Sequence, residues 1–79
     1  MKFNIDAENK HSIGIYKITN VVNNKIYIGQ TREGFIDRYW FHQWNLRRNT
    51  HSNKYLQRSW NKYGEDSFEF EIVDYDLQS

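Results

Sequence analysis

The sequence contains no cysteine and no proline. Without cysteine there is no disulfide, thiol nucleophile, cysteine-ligated zinc or iron–sulfur cluster. The absence also fits a reducing, cytoplasmic setting better than a secreted one. Without proline, and with four glycines scattered singly, nothing marks a linker or a domain boundary. No apolar run approaches the 18 or so residues that cross a membrane, and no signal-like apolar stretch follows Met1. A membrane is therefore not an expected partner. At 79 residues the chain makes one domain, of a size that buries only about 60% of its unfolded surface. Hydrophobic residues are few at 38%, but an aromatic share of 18%, with 3 Trp, 6 Tyr and 5 Phe, supplies large side chains for a small core.

The net charge of +1 conceals two blocks. Arg38, Arg47, Arg48, Lys54, Arg58 and Lys62 fall in a stretch with no acidic residue. From Glu65 onward come Asp66, Glu69, Glu71, Asp74 and Asp76 with no basic one. Blocks of this kind read either as a polyanion-facing middle with an acidic end, or as two solvated faces that attract one another within the fold.

The N-terminal residues 1–12 are polar and without clear period, and read as a loosely held terminus preceding a domain over 13–79. Residues 13–19, Ile-Gly-Ile-Tyr-Lys-Ile-Thr, and 25–30, Lys-Ile-Tyr-Ile-Gly-Gln, read as two strands. The turn chemistry of Asn20–Asn24 joins them in a hairpin. From about Phe35 to Arg48 the period becomes helical, with Ile36, Trp40 and Trp44 as the expected buried stripe. Lys54–Tyr63 reads as a second helix, stopped at Gly64, with Leu56, Trp60 and Tyr63 inward. Phe68, Phe70 and Ile72 alternate with Glu69, Glu71 and Val73 as a half-solvated strand. Asp76–Ser79 is too short for another element. The expected fold is α+β: a small antiparallel three-stranded sheet with two helices, in the order β-β-α-α-β.

Two groups carry chemistry. Arg38 and His42 lie one helical turn apart, on a face opposite the expected stripe. A guanidinium binds phosphate oxygens in a bidentate fork, and an imidazole can pass a proton near neutral pH. The same pair also fits an ordinary solvated face. Tyr16 and Tyr27 stand in the two hairpin strands, each near a glycine (Gly14, Gly29), and glycine inside a strand marks a bulge or a close approach.

Together these residues resemble the GIY-YIG nuclease superfamily, in particular the catalytic domains of phage and intron-encoded homing endonucleases. The triplets stand as Gly14-Ile15-Tyr16 and Tyr27-Ile28-Gly29, separated by the ten residues Lys17 to Ile26. Arg38 and His42 form the Arg-x-x-x-His helix motif. The stretch His51 to Gly64 and the strand Phe68-Glu69-Phe70-Glu71-Ile72 also match. The resemblance covers roughly Ile13 to Tyr75.

The resemblance implies a bacterial or phage-encoded, metal-dependent endonuclease that hydrolyses a DNA phosphodiester. Its catalytic residues would be Tyr16, Tyr27, Arg38, His42 and His51, and Arg47, Arg48, Lys54 and Arg58 would contact DNA. Tyr16 would activate or position the attacking water, with Tyr27 supporting the pocket. Arg38 would stabilise the pentacovalent transition state, and His42 would assist proton movement or hold the phosphate. Mg²⁺ is the cofactor implied, held in the family by a glutamate on a helix after the third strand. No acidic residue of this sequence aligns with that glutamate, so no metal ligand is assigned. The alternative is a catalytically inactive module that binds DNA or a partner protein in a regulatory role. A homodimer or protein partner is then expected over the sheet face that the further helix would cover.

Overall fold

The computed structural model describes residues 1–75; the expectation for Asp76–Ser79 lies outside them. β2 (Gly14–Asn20) and β3 (Ile26–Thr31) form the antiparallel hairpin. Their turn is made by asparagines. The Asn20 and Asn23 side chains accept from the backbone of Val22 and Lys25, and Asn24 takes a left-handed φ of 62°, a conformation asparagine tolerates. β4 (Phe68–Tyr75) lies antiparallel along the other edge of β2, with a register shift between Ile15 and Tyr16.

A fourth strand was not expected. β1 (Lys2–Phe3) pairs parallel to β4, so the sheet is mixed, with order β1-β4-β2-β3. The reading of residues 1–12 as a loose terminus is corrected accordingly. Met1 is buried, its ammonium donating to Gln43 Oε1 at 2.9 Å and its carbonyl accepting from the Tyr39 hydroxyl. Phe3 packs edge-on to Tyr39. The carbonyls of Lys10 and Ser12 accept the first free amides of α1, from Ile36 and Phe35 at 2.8 and 2.9 Å. A helix start leaves such amides without intrahelical partners, so the segment is held by what the helix needs.

Both helices, α1 (Phe35–Arg47) and α2 (Lys54–Tyr63), cover one sheet face. There Ile18, Phe68 and Phe70 pack with Phe35, Leu46, Leu56 and Trp60. Each such side chain contributes about 1.5–3 kcal/mol by leaving water. Of the inward sets read for α2 and β4, Leu56, Trp60, Phe68 and Phe70 are buried, Tyr63 and Ile72 are half-buried, and Gln57 is buried with them on α2. The set read for α1 is corrected: Trp40 and Trp44 are exposed, Ile36 is half-buried, and the buried face is Phe35, Tyr39, His42, Gln43 and Leu46. The buried polar pair does not break the core, because Gln43 bonds Met1 and Tyr39 while His42 bonds Tyr16 and His51. Satisfied polar groups can be buried at little cost.

The other sheet face carries Ile15, Ile26 and Ile28, all exposed, among half-buried Lys17, Thr19, Glu69 and Glu71. No described element packs over it. Among the described residues, no helix is long and apolar enough to cross a membrane.

Candidate active site

Tyr16 projects from β2 toward the helices and is buried, its ring stacked on Phe70 with centroids 4.7 Å apart. Its cross-strand partner is Gly29. A β-carbon at position 29 would lie 2.4 Å from Cζ and the hydroxyl oxygen of Tyr16. Glycine is therefore the residue that lets this tyrosine lie flat across the hairpin. The two triplets thus meet directly, the last residue of one being the shelf for the last residue of the other.

The Tyr16 hydroxyl lies 2.5 Å from Nε2 of His42 on the inner flank of α1. His42 Nδ1 lies 2.7 Å from Nε2 of His51, and the imidazoles stack with centroids 5.0 Å apart. His51, in the connection between the helices, accepts the Asn53 amide on Nδ1 at 3.0 Å and donates its own amide to Gln57 Oε1. Gln57 in turn donates to the Leu46 carbonyl, tying the connection to the end of α1. The Asn53 side chain caps α2 by accepting from Leu56.

These bonds assign the tautomers, read outward from the backbone. The Asn53 amide can only donate, so His51 Nδ1 is an acceptor and the His51 proton sits on Nε2. That proton is donated to His42 Nδ1, which leaves the His42 proton on Nε2, donated to Tyr16. The phenol oxygen is thus an acceptor at the end of a three-residue chain, and its own proton is left to point elsewhere. The assignment requires neutral rings. Burial, then His51, then the Arg38 charge lower the His42 pKa from 6.5 to about 3, and burial followed by Arg38 lowers that of His51.

Arg38, one turn before His42, has its guanidinium carbon 4.2 Å from the Phe41 ring centre, while its Nε is buried with no hydrogen-bond partner. A buried donor on a cation is costly when unpaired, so this guanidinium still lacks a partner for its Nε. His42 is the member of the Arg38–His42 pair placed differently from expectation. It lies in the core rather than on a solvated face, and its ring nitrogens are both engaged.

Tyr27 is not joined to this chain. It is half-buried on the helix side of β3, lining a groove with Lys25, Tyr55, Arg58, Lys62 and Tyr63. Of the DNA-contact candidates, Arg58 and Lys54 are exposed on α2, and Arg58 lies 6.0 Å from the Tyr55 ring centre. Arg48 lies over Trp44. Arg47 is bound to Glu65 at 2.6 Å, the one ion pair among the described residues that joins the basic block to the acidic one.

The described residues do not fit a resident Mg²⁺. Among the described residues no three His, Asp or Glu side chains converge to hold a metal. Glu69 and Glu71 stand in register with Thr19 and Lys17 on the sheet face away from the helices. Glu65 is engaged with Arg47, and all four ring nitrogens of His42 and His51 are taken. Sequence reading missed Gln57 and the Asn53 amide, which orient His51. Asn53 carries a recognisable capping signal, whereas nothing in the sequence distinguishes Gln57 from a surface glutamine.

Fold and cluster together define a small α+β domain built around a tyrosine–histidine site with an arginine one helical turn before its central histidine. No protein-family model matches the chain. It is 43% identical over 61 residues to intron-associated endonuclease 1 of Enterobacteria phage T4, covering 77% of this chain and 24% of that protein. The chain spans about a quarter of the length of the curated relatives it matches. Two solved structures of the catalytic domain of the homing endonuclease I-TevI superpose on it. One, a point mutant, gives a TM-score of 0.77 at 38% identity, over 86% of this chain and 68% of that one. The other gives 0.78 at 37% identity, over 85% and 71%. The chain belongs to the GIY-YIG nuclease superfamily.

Proposed function

We propose that this domain hydrolyses a phosphodiester of DNA, within the cytoplasm of a bacterial or phage-infected cell. The observation that carries the reading is the chain Asn53 amide–His51–His42–Tyr16, which ends on a phenol oxygen, with the unpartnered Arg38 one helical turn before His42 on α1. The neutral histidines act here as a polarised hydrogen-bond chain rather than as proton carriers. Charging either ring would oppose burial and the Arg38 charge. The His42 N–H donates to the Tyr16 oxygen and leaves that oxygen a lone pair with which to accept from, and so position, an attacking water, whose proton passes to solvent as it attacks. The water oxygen then bonds to phosphorus, the Arg38 fork opposes the charge gathered on the phosphoryl oxygens, and the leaving oxygen departs with its electron pair to be protonated from solvent. Arg48, Lys54 and Arg58 would hold neighbouring phosphates, giving affinity that falls steeply with salt.

Mg²⁺ is the cofactor that the family resemblance implies, and the described residues do not by themselves hold it. A second reading, a binding module that covers its sheet face with a second copy or another protein, is favoured by the exposed Ile15, Ile26 and Ile28. Plasmid nicking in Mg²⁺ or Mn²⁺, with EDTA and Arg38→Ala as controls, separates the two. Metal-dependent nicking lost in Arg38→Ala supports the nuclease. A folded wild type that binds but never nicks refutes it in favour of the binding module.

A further inference from the structure

The outer face of α1 presents Trp40 and Trp44, 56% and 57% exposed and one helical turn apart. Phe41, 40% exposed, stands between them and the site. A folded chain this short in hydrophobic residues leaves two tryptophans in water, where large apolar side chains exposed in a group mark an interaction surface. Cations frame them. The Arg48 guanidinium carbon lies 5.2 Å from the centre of the Trp44 ring, and Arg47 shares a shallow groove with both tryptophans. Asp37 is the one carboxylate along the adjoining groove, with Trp40, Phe41, Trp44 and Asn45.

We propose that this face is a stacking platform for unpaired nucleobases, taking a single-stranded segment that adjoins the phosphate bound at Arg38. The inference rests on the reading of the site as a DNA phosphodiester site and specifies the form of the DNA. Three observations select the occupant. Aromatic faces interleaved with guanidinium groups serve both halves of a nucleotide, the ring and the phosphate. The stretch from Arg38 to Lys62 holds six cations and no carboxylate; Arg47 is paired with Glu65, and the other five give a charge complementary to a polyanion. The surface is also continuous with the site, since Phe41 lies under the Arg38 guanidinium and its ring centre is 6.5 Å from that of His51. A duplex keeps its base faces stacked inside and offers the grooves only base edges, so exposed tryptophan rings can stack only on bases that have left the helix.

The test uses the whole chain with a labelled oligothymidylate of about twelve nucleotides and a duplex of equal length. Binding is read by anisotropy and by quenching of tryptophan emission. Wild type should bind the single strand with quenching. The double variant Trp40→Ala/Trp44→Ala should bind it at least about tenfold more weakly, with the duplex affected less than about threefold. Trp40→Phe/Trp44→Phe should recover most of the affinity, because a phenyl face also stacks. The proposal is overturned by unchanged single-strand affinity in the alanine variant, by equal losses on both DNAs, or by no recovery with phenylalanine. It is overturned as well if the alanine variant instead abolishes a dimer seen in sedimentation, which would make the face a contact between copies. Plasmid nicking by the same proteins keeps the two readings apart. Quenching without nicking leaves the platform standing and refutes the nuclease, whereas nicking with unchanged oligothymidylate affinity does the reverse.

Discussion

Tyr16 and Gly29 face one another across the β2–β3 hairpin with no space for a β-carbon between them, since one built on Gly29 would stand 2.4 Å from the tyrosine's Cζ. Neither partner can yield easily. Tyr16 is stacked on Phe70 and bonded to His42, and Gly29 lies in a paired strand. Gly29→Ala should therefore push the phenol off His42, costing about 1–3 kcal/mol as overpacking does and suppressing nicking. Tyr16→Phe keeps the ring on its shelf but leaves the buried His42 N–H without an acceptor, which should cost about 1–3 kcal/mol with the backbone undisturbed. Urea denaturation of both variants checks this. Equal stability of Gly29→Ala and wild type would contradict the shelf.

Acid should destabilise the fold through His42. Its pKa is lowered from 6.5 to about 3, first by burial. Between those values the unfolded chain binds a proton that the native state refuses, so stability falls as pH drops through the interval. From pH 7 to pH 5 this one ring contributes a loss of about 2 kcal/mol, and His51 adds to it in the same direction. Replacing His42 by Gln should flatten the profile over that range. Urea midpoints at pH 5, 6 and 7 for both proteins decide it, and parallel profiles would mean that His42 is charged in the fold.

Trp40 and Trp60 look alike in the sequence, and the structure separates them. Trp60 is buried against Phe68 with ring centroids 5.3 Å apart, while Trp40 stands in solvent. Trp60→Ala should remove about 3–5 kcal/mol, a large share of the stability of so small a domain. Trp40→Ala should change stability by less than about 0.5 kcal/mol. Thermal melts followed by near-ultraviolet circular dichroism check both values.

That contrast marks what was legible in the sequence. The hairpin, α2 and β4 were readable because hydrophobicity and burial coincide there. Ile18, Leu56, Phe68 and Phe70 are apolar and inside, and Glu69 and Glu71 alternate with them. The buried face of α1 was not readable by the same rule, since two of its five members, His42 and Gln43, are polar and are buried through partners 26 and 42 residues away. β1 was invisible for a related reason. Two residues have no period, and what holds them is an ammonium on Gln43 and a phenylalanine between Tyr39 and Phe70. Of the site, the motifs supplied Tyr16, Arg38 and His42, and His51 came with the same resemblance. The order of their bonding depends on one backbone amide, which no side-chain pattern encodes.

Arg38 tests whether the site needs a fork or only a charge. Its Nε is buried without a partner while the rest of the group lies over Phe41, so the planar guanidinium is already oriented and keeps a directed donor for an incoming oxygen. Lysine at this position would retain the positive charge but not the fixed donor geometry, the ring stacking or a second parallel hydrogen bond. Arg38→Lys should therefore fold, bind DNA within a few-fold of wild type, and nick at least about a hundredfold more slowly, the scale set by removing one preorganised donor to a developing oxyanion. Single-turnover nicking beside equilibrium binding separates the two effects. Near-wild-type nicking by the lysine variant would reduce Arg38 to a diffuse charge and remove the directed donor from the mechanism.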